Sequence, residues 1–219
     1  MADLPAVREP KQARSREAWE RVLEVGRRLV EEGGVEALSI SEVCRRSGVN
    51  PPSLYARVDG KAGLFAAVYE RGMLEIATTE ERLLAGLPRA GASVAEQAAD
   101  AAAAIAGVFE EHARFLRPVI SRAESDPALL ARGAEESRRL LGRVAAAIEV
   151  DASVGAEIAQ TLYAECVVRT IYGADFFTGR PEGAEAFRRR IASTAVARAI
   201  SAAGGGRPDS GAAPSPQVG

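Results

Sequence analysis

At 219 residues, 47% hydrophobic and 26% charged, the chain can bury a sizeable core and divide into one small and one larger domain. Its net charge of −2 excludes a generally basic protein, so any basic character must be local. It has no 18-residue apolar run and no signal peptide with a basic start and apolar centre, which predicts a cytoplasmic protein with no membrane partner.

Residues 1–15 read as a flexible arm, and Arg8, Lys11, Arg14 and Arg16 stand against Glu9 in the stretch that leads into the first helix. Such an arm could track a nucleic-acid backbone or reach a minor groove, and it could equally be a solvated leader. An amphipathic helix follows over Arg16–Glu32, and Gly33-Gly34 end it.

Ser39 and Glu42 have the S-x-x-E spacing of a capping box, which predicts a helix from about residue 40. Ile40, Val43 and Cys44 form its inner stripe, while Ser41, Glu42, Arg45 and Arg46 fall outside. Gly48 is placed to stop it in the left-handed conformation. Asn50 is an N-cap followed by Pro51 at the first helical position, where the missing N–H costs nothing. Leu54 and Val58 are the apolar pair of this second helix, which leaves Pro51, Pro52, Ser53, Tyr55, Ala56 and Arg57 for its exposed side. Two helices joined by a tight glycine turn describe a helix-turn-helix, whose second helix enters the major groove, and a plain helical corner is the alternative.

From Lys61 the chain reads as helical throughout, because no segment sustains period-2 alternation and alanine is abundant. A long helix from Lys61 to about Leu84 carries Leu64, Phe65, Val68, Met73 and Ile76 near one face and would act as a lever. Ser93 and Glu96 cap an alanine-rich helix to about Glu111, and a shorter helix covers Phe115–Arg122. Further helices run from Asp126-Pro127 to about Ile148, from Asp151 or Ser153 to about Phe177, and from Pro181 to about Ala203. The expected architecture is all-α with about nine helices: a DNA-binding domain at 16–61, a helical domain at 62–203 and a disordered tail at 204–219.

The span Arg16–Tyr69 resembles the TetR family of transcriptional repressors. The resemblance rests on the helix before Gly33-Gly34, on Ile40, Val43-Cys44 and Gly48-Val49, on Leu54-Tyr55-Ala56-Arg57-Val58, and on Lys61 opening the next helix. The chain departs from the family at Val30, where an aromatic is usual, at Gly26, and at Ala56-Arg57. The resemblance implies a DNA-contact set of Ser39, Ser41, Asn50, Pro51, Pro52, Ser53, Tyr55, Ala56, Arg57 and Lys61. In it Pro51, Pro52 and Ser53 would face bases, and Tyr55, Arg57 and Lys61 would hold phosphates, with guanine a second target for Arg57.

The same resemblance implies a homodimer through the last two helices. Ala156, Ala159, Ala164, Ala192, Ala195 and Ala199 would allow close approach there, with Leu162, Val167, Ile171, Ile191 and Val196 as apolar area. Two recognition helices about 34 Å apart would then read a palindromic double-stranded operator. It also implies a pocket for an unidentified small-molecule effector that releases the repressor. The expected lining is Tyr69, Phe109, His112, Phe115, Leu116, Tyr163, Arg169, Tyr172 and Phe176, each of which could instead pack the core. Arg169 could bind an anion or cross the dimer interface to Glu165 or Asp175.

No cofactor, metal site or catalytic centre is expected. There is one histidine, no G-x-S-x-G, no phosphate-cradling glycine loop and no paired-cysteine motif, and the residue three before His112 is Phe109 rather than a glutamate. Cys44 and Cys166 read as buried thiols. The competing interpretation is a helical bundle with an interaction or enzymatic role and no specific operator.

Overall fold

A computed structural model describes residues 13–177 and 179–204, all of them helical or connecting segments. Eight helices occur among the described residues: α1 Ala13–Ala37, α2 Ile40–Ser47, α3 Pro51–Tyr55, α4 Gly60–Leu84, α5 Val94–Ala123, α6 Pro127–Ala146, α7 Ala152–Tyr172 and α8 Ala184–Gly204. The all-α expectation holds. Most of the basic arm and all but the first residue of the tail lie outside the described residues.

Eight helices rather than nine follow from α5, which runs unbroken where two helices were expected. The polar run Glu110-Glu111-His112-Ala113-Arg114 reads as a break in one dimension, yet a helix distributes it around its circumference. His112 turns inward and is 5% exposed, Glu110 pairs outward with Arg188, and Glu111 pairs with Arg82. The helix also continues past Pro118.

Two other ends differ. Helix α7 stops at Tyr172 instead of Phe177, because Gly173 turns to φ 98° while its N–H still bonds Arg169 O at 3.0 Å. At the other end of the chain α8 starts at Ala184, three residues after Pro181.

Helix α1 is continuous in name only. Gly33 and Gly34 have φ/ψ of −140/18° and 73/−176°, so the chain kinks there and adds one more turn to Ala37. Gly26 has a different role: a Cβ on it would meet Val68 Cγ2 at 2.5 Å, so its lack of a side chain lets α1 lie close on α4. Val30, at the family's aromatic position, is fully buried.

Packing forms two connected cores. The first joins Trp19, Val22, Leu29 and Val30 of α1 to Val43, Leu54, Val58, Leu64 and Val68, and extends to Phe115 and Val119 of α5 and Leu129 of α6. The second collects the alanine face of α5 with Leu140, Val144, Ile158, Leu162, Phe187 and Ile191. Helix α4 is the connecting member. Its buried Leu64, Phe65, Val68 and Ile76 and half-buried Met73 follow the lever stripe read from the sequence. No helix among the described residues is long and apolar enough to cross a membrane.

Candidate nucleic-acid interface and effector cavity

The turn between α2 and α3 is built from local chemistry. Ser39 Oγ accepts from Glu42 N at 3.2 Å, a cap worth about 1 kcal/mol. At the other end Gly48 takes φ 70° and donates to Cys44 O at 3.0 Å. Ser47 is buried, and its Oγ accepts from Val49 N at 3.3 Å, which fixes the single residue between the two caps. Asn50 Oδ1 then accepts from Ser53 N at 2.9 Å, with Pro51 and Pro52 opening α3.

Burial divides α3 cleanly. Leu54 is fully buried and Val58, just beyond the helix, is 3% exposed, so both anchor the element to α1 and α2. Pro51, Pro52, Ser53, Tyr55 and Ala56 are exposed, and the Tyr55 ring is 57% open to solvent. Exposed Ser41 and half-buried Ser39 lie at the start of α2, their hydroxyls 3.3 Å apart.

Two expectations are corrected. The Glu42 carboxylate does not close a capping box. It accepts from Arg45 at 2.8 and 2.6 Å and from Arg46 at 2.6 Å, and these two guanidiniums hold its pKa down at about 2. A pair of cations one turn away outcompetes a single backbone N–H for a carboxylate. Arg57 is the second case. Instead of standing free it is half-buried, donates to Ser15 Oγ and to Ser15 O at 3.4 Å, and lies 5.5 Å over the Trp19 ring. Arg57 thus ties the end of the recognition element to the start of α1.

The cations near this face are held in exposed ion pairs. Arg46 also reaches Glu32 at 2.7 Å, and Lys61, in the first turn of α4, lies 3.3 Å from Glu36. Exposed pairs contribute only about 0–1 kcal/mol, so exchange of a carboxylate for a phosphate costs little here. Arg21, whose Nε donates to Ser47 O at 3.5 Å, and Arg45 and Arg46 were not among the predicted site residues. The sequence signal for the latter two was their position in the last turn of α2, on its outer side.

The predicted effector residues separate into three groups. Tyr69, Phe109, Leu116 and Tyr163 converge on a cavity of about 210 Å³ lined by α4, α5, α6 and α7. His112 and Phe115 face away from it. His112 bonds Thr79 and approaches Arg27, and Phe115 is packed under Arg27 and against the backbone of Gly72. On α5, Leu116 lies about 20° from Phe109 around the helix axis, whereas His112 and Phe115 are turned by about 60° and 120° toward α1. Arg169, Tyr172 and Phe176 lie at the far end of α7. Arg169 donates to Glu182 O at 2.7 Å and stacks 4.5 Å over Phe187, while Tyr172 and Phe176 are exposed and stack on one another at 4.5 Å. Within the protomer Arg169 also pairs with Glu182 at 3.5 Å, and Glu165 accepts from Arg190 at 3.2 Å.

Sequence reasoning missed Met73, Ile76, Glu80, Leu130, Glu136, Ser137 and Leu140 in the cavity wall. Gly133, Ser137 and Leu140 recur at helical spacing, and the small Gly133-Ala134 pair leaves the space. Among the polar groups, Ser137 Oγ and Tyr163 OH bond at 2.6 Å. Glu80 is 2% exposed, and burial pushes its carboxyl up from the ordinary range against the pull of Arg139 and Arg143. Burial likewise raises the Tyr69 hydroxyl to about 12.

Cys44 and Cys166 are free and buried. Burial raises both thiols, Cys166 to about 12, which removes the thiolate that redox chemistry needs.

Comparison with known proteins agrees with this geometry. The profile of bacterial regulatory proteins of the tetR family matches residues 22–68, from α1 through the first turns of α4. The HTH-type transcriptional repressor BdcR of Escherichia coli (strain K12) is 43% identical over 51 residues, which is 23% of this chain and 26% of that repressor. The match therefore spans about a quarter of each protein. Over most of its length the fold is that of a TetR-like transcriptional regulator from Rhodococcus sp. RHA1, with TM-score 0.62, 20% identity and coverage of 89% of this chain and 99% of that one. SCO7518 from Streptomyces coelicolor A3(2) gives TM-score 0.59 at 18% identity over 81% and 97% of the two chains. Residues 22–68 thus form a helix-turn-helix segment like that of the tetR family of bacterial regulatory proteins, carried on a helical fold similar to that of TetR-like regulators.

Proposed function

We propose that the protein is a cytoplasmic, dimeric transcriptional repressor that leaves a palindromic operator when a small molecule fills the cavity behind α4. The observation that carries the DNA-binding part is the division of α3. Leu54 and Val58 are spent in the core, while Pro51, Pro52 and Ser53 at the helix N-terminus stand exposed. That is the end of a recognition helix that meets base edges. In this reading the prolines offer apolar contact to a thymine methyl and Ser53 donates or accepts, while Ser39, Ser41, Asn50, Tyr55 and Lys61 secure the backbone. Ala56 leaves room for close approach. Arg57 acts through its hold on Ser15 and Trp19 and positions α1 against the same groove. BdcR, the relative with the matching segment, is itself a repressor by name.

Dimerisation through α7 and α8 follows the family and keeps only part of the residue set read in sequence, Ala164, Val167, Ile171 and Val196 among it. Ala159, Leu162, Ile191, Ala195 and Ala199 are already buried within the protomer. The outer face is supplied by exposed Thr161, Ala164, Ala197 and Ile200 and by half-buried Val167, Ile171 and Val196. The release step runs through α4, which carries Lys61 at one end and the cavity residues Tyr69, Met73, Ile76 and Glu80 further along. A ligand that favours one tilt of this helix changes the spacing of the two recognition helices. Such coupling is typically about 1–3 kcal/mol.

A gel shift with the DNA upstream of its own coding sequence tests the reading. Specific retardation that resists competitor DNA is expected. Binding that vanishes with salt and shows no sequence preference would leave a helical bundle without an operator.

A further inference from the structure

We infer that the cavity between α4, α5, α6 and α7 takes a compact apolar molecule bearing an amine, held by Glu80. The inference rests on the effector reading above and specifies the chemistry of that site.

Size and lining set the body of the ligand. The cavity of about 210 Å³ is walled mainly by Met73, Ile76, Phe109, Leu116, Leu130 and Leu140. Drug-sized sites usually occupy about 300–1,000 Å³, whereas a cavity of about 150 Å³ accommodates benzene. One ring with a short side arm is therefore the right scale.

Charge and hydrogen bonding set the head. Two carboxylates, Glu80 and Glu136, line the cavity, and among its described lining residues there is no lysine, arginine or histidine. The Glu80 side chain is 3% exposed, and its Oε2 and the hydroxyl of Tyr69 are buried without a hydrogen-bond partner. Leaving each such group unpaired costs about 1–3 kcal/mol, so a matching ligand group has a large gain to make. Arg139 and Arg143 approach Glu80 Oε2 only to 3.7 and 3.8 Å, and both are engaged elsewhere, with Glu136 at 2.7 Å and Glu81 at 2.9 Å. An ammonium brings donors and no acceptors, which suits the Glu80 carboxylate. A ligand carboxylate would add a further negative charge beside Glu80 and Glu136. The raised pKa of Glu80 agrees, since burial disfavours its charge and a bound cation restores it.

The experiment compares phenethylamine, 2-phenylethanol and 3-phenylpropanoate by calorimetry on the full chain without DNA. We expect the amine to bind at least about tenfold more tightly than the carboxylate, with the alcohol between them. Glu80→Gln should weaken the amine by about tenfold and narrow that gap, with the helical spectrum retained. The ranking on the unaltered chain stands even if that variant fails to fold. Equal or tighter binding of the carboxylate overturns the inference, as does binding of none of the three up to about 1 mM, which would mean the space holds solvent only. Operator release is read separately. An amine that binds yet leaves the gel shift unchanged upholds the inference and rejects ligand-driven release.

Discussion

Arg27 on α1 brings its Nη2 to 3.3 Å from Nδ1 of His112 on α5. Arginine can only donate, so Nδ1 must accept, and the ring proton is left on Nε2, which donates to Thr79 Oγ1 at 2.9 Å. Thr79 then donates to Glu111 at 3.0 Å, and Arg27 also pairs with Glu75 on α4. The helix that leads into the helix-turn-helix is thereby joined to both α4 and α5 through one neutral imidazole.

This arrangement predicts acid sensitivity. Burial, then the Arg27 charge, lowers the His112 pKa from its ordinary 6.5. The unfolded chain therefore takes up a proton first, so the contribution is complete above about 6.5 and declines as pH falls below it. The urea midpoint should drop between pH 7.5 and 5, and His112→Gln should flatten that part of the profile. A slope unchanged in the variant would assign the acid sensitivity to other groups.

Gly72 is predicted to tolerate no side chain. A Cβ there would lie 2.2 Å from Phe115 Cε1, and Phe115 is fully buried and unable to retreat. Gly72→Ala should cost about 1–3 kcal/mol by overpacking, outweighing the gain of about 0.5–1 kcal/mol in helix propensity. Denaturant unfolding measures the balance, and a stabilised variant would show that the α4–α5 contact is loose.

Lys61 and Ser53 should fail in different ways. Lys61→Ala is expected to weaken binding alike on all DNA sequences and to reduce the slope of log K against log salt by about 1.8 for the dimer, the signature of one phosphate in each half-site. Ser53→Ala should keep the slope and relax preference at one base pair in each half-site. Both residues are exposed, so folding stability should stay within about 0.5 kcal/mol. Fluorescence anisotropy across salt on matched and mismatched duplexes separates the two outcomes.

Thiol reagents should find Cys166 closed. It is 1% exposed with its pKa raised to about 12, against 8% exposure for Cys44. Ellman's reagent at pH 8 should label Cys166 only on addition of denaturant, with Cys44 reacting slowly before it. Rapid labelling of Cys166 in the native protein would restore it as a redox candidate.

Much of the first domain could be read from the chain because its signals are local. Ser39, Gly48, Asn50 and Pro51 act on atoms within four residues of themselves, so caps, turn and recognition helix follow from spacing alone. The apolar stripes of α1, α2 and α4 depend only on the helical period, which every residue obeys. What the chain could not declare is which partner a side chain prefers when several lie within reach. Glu42 takes Arg45 and Arg46 over a backbone N–H, and Arg57 turns back to Ser15, forty-two residues away. The cavity behind α4 shows the same limit. Tyr69, Phe109, Leu116 and Tyr163 meet, while His112 and Phe115 on the same helix face elsewhere. Periodicity states that a residue is inside. Only the packing of α4 against α5, α6 and α7 decides which interior it faces, because that depends on distances between segments that no local rule relates.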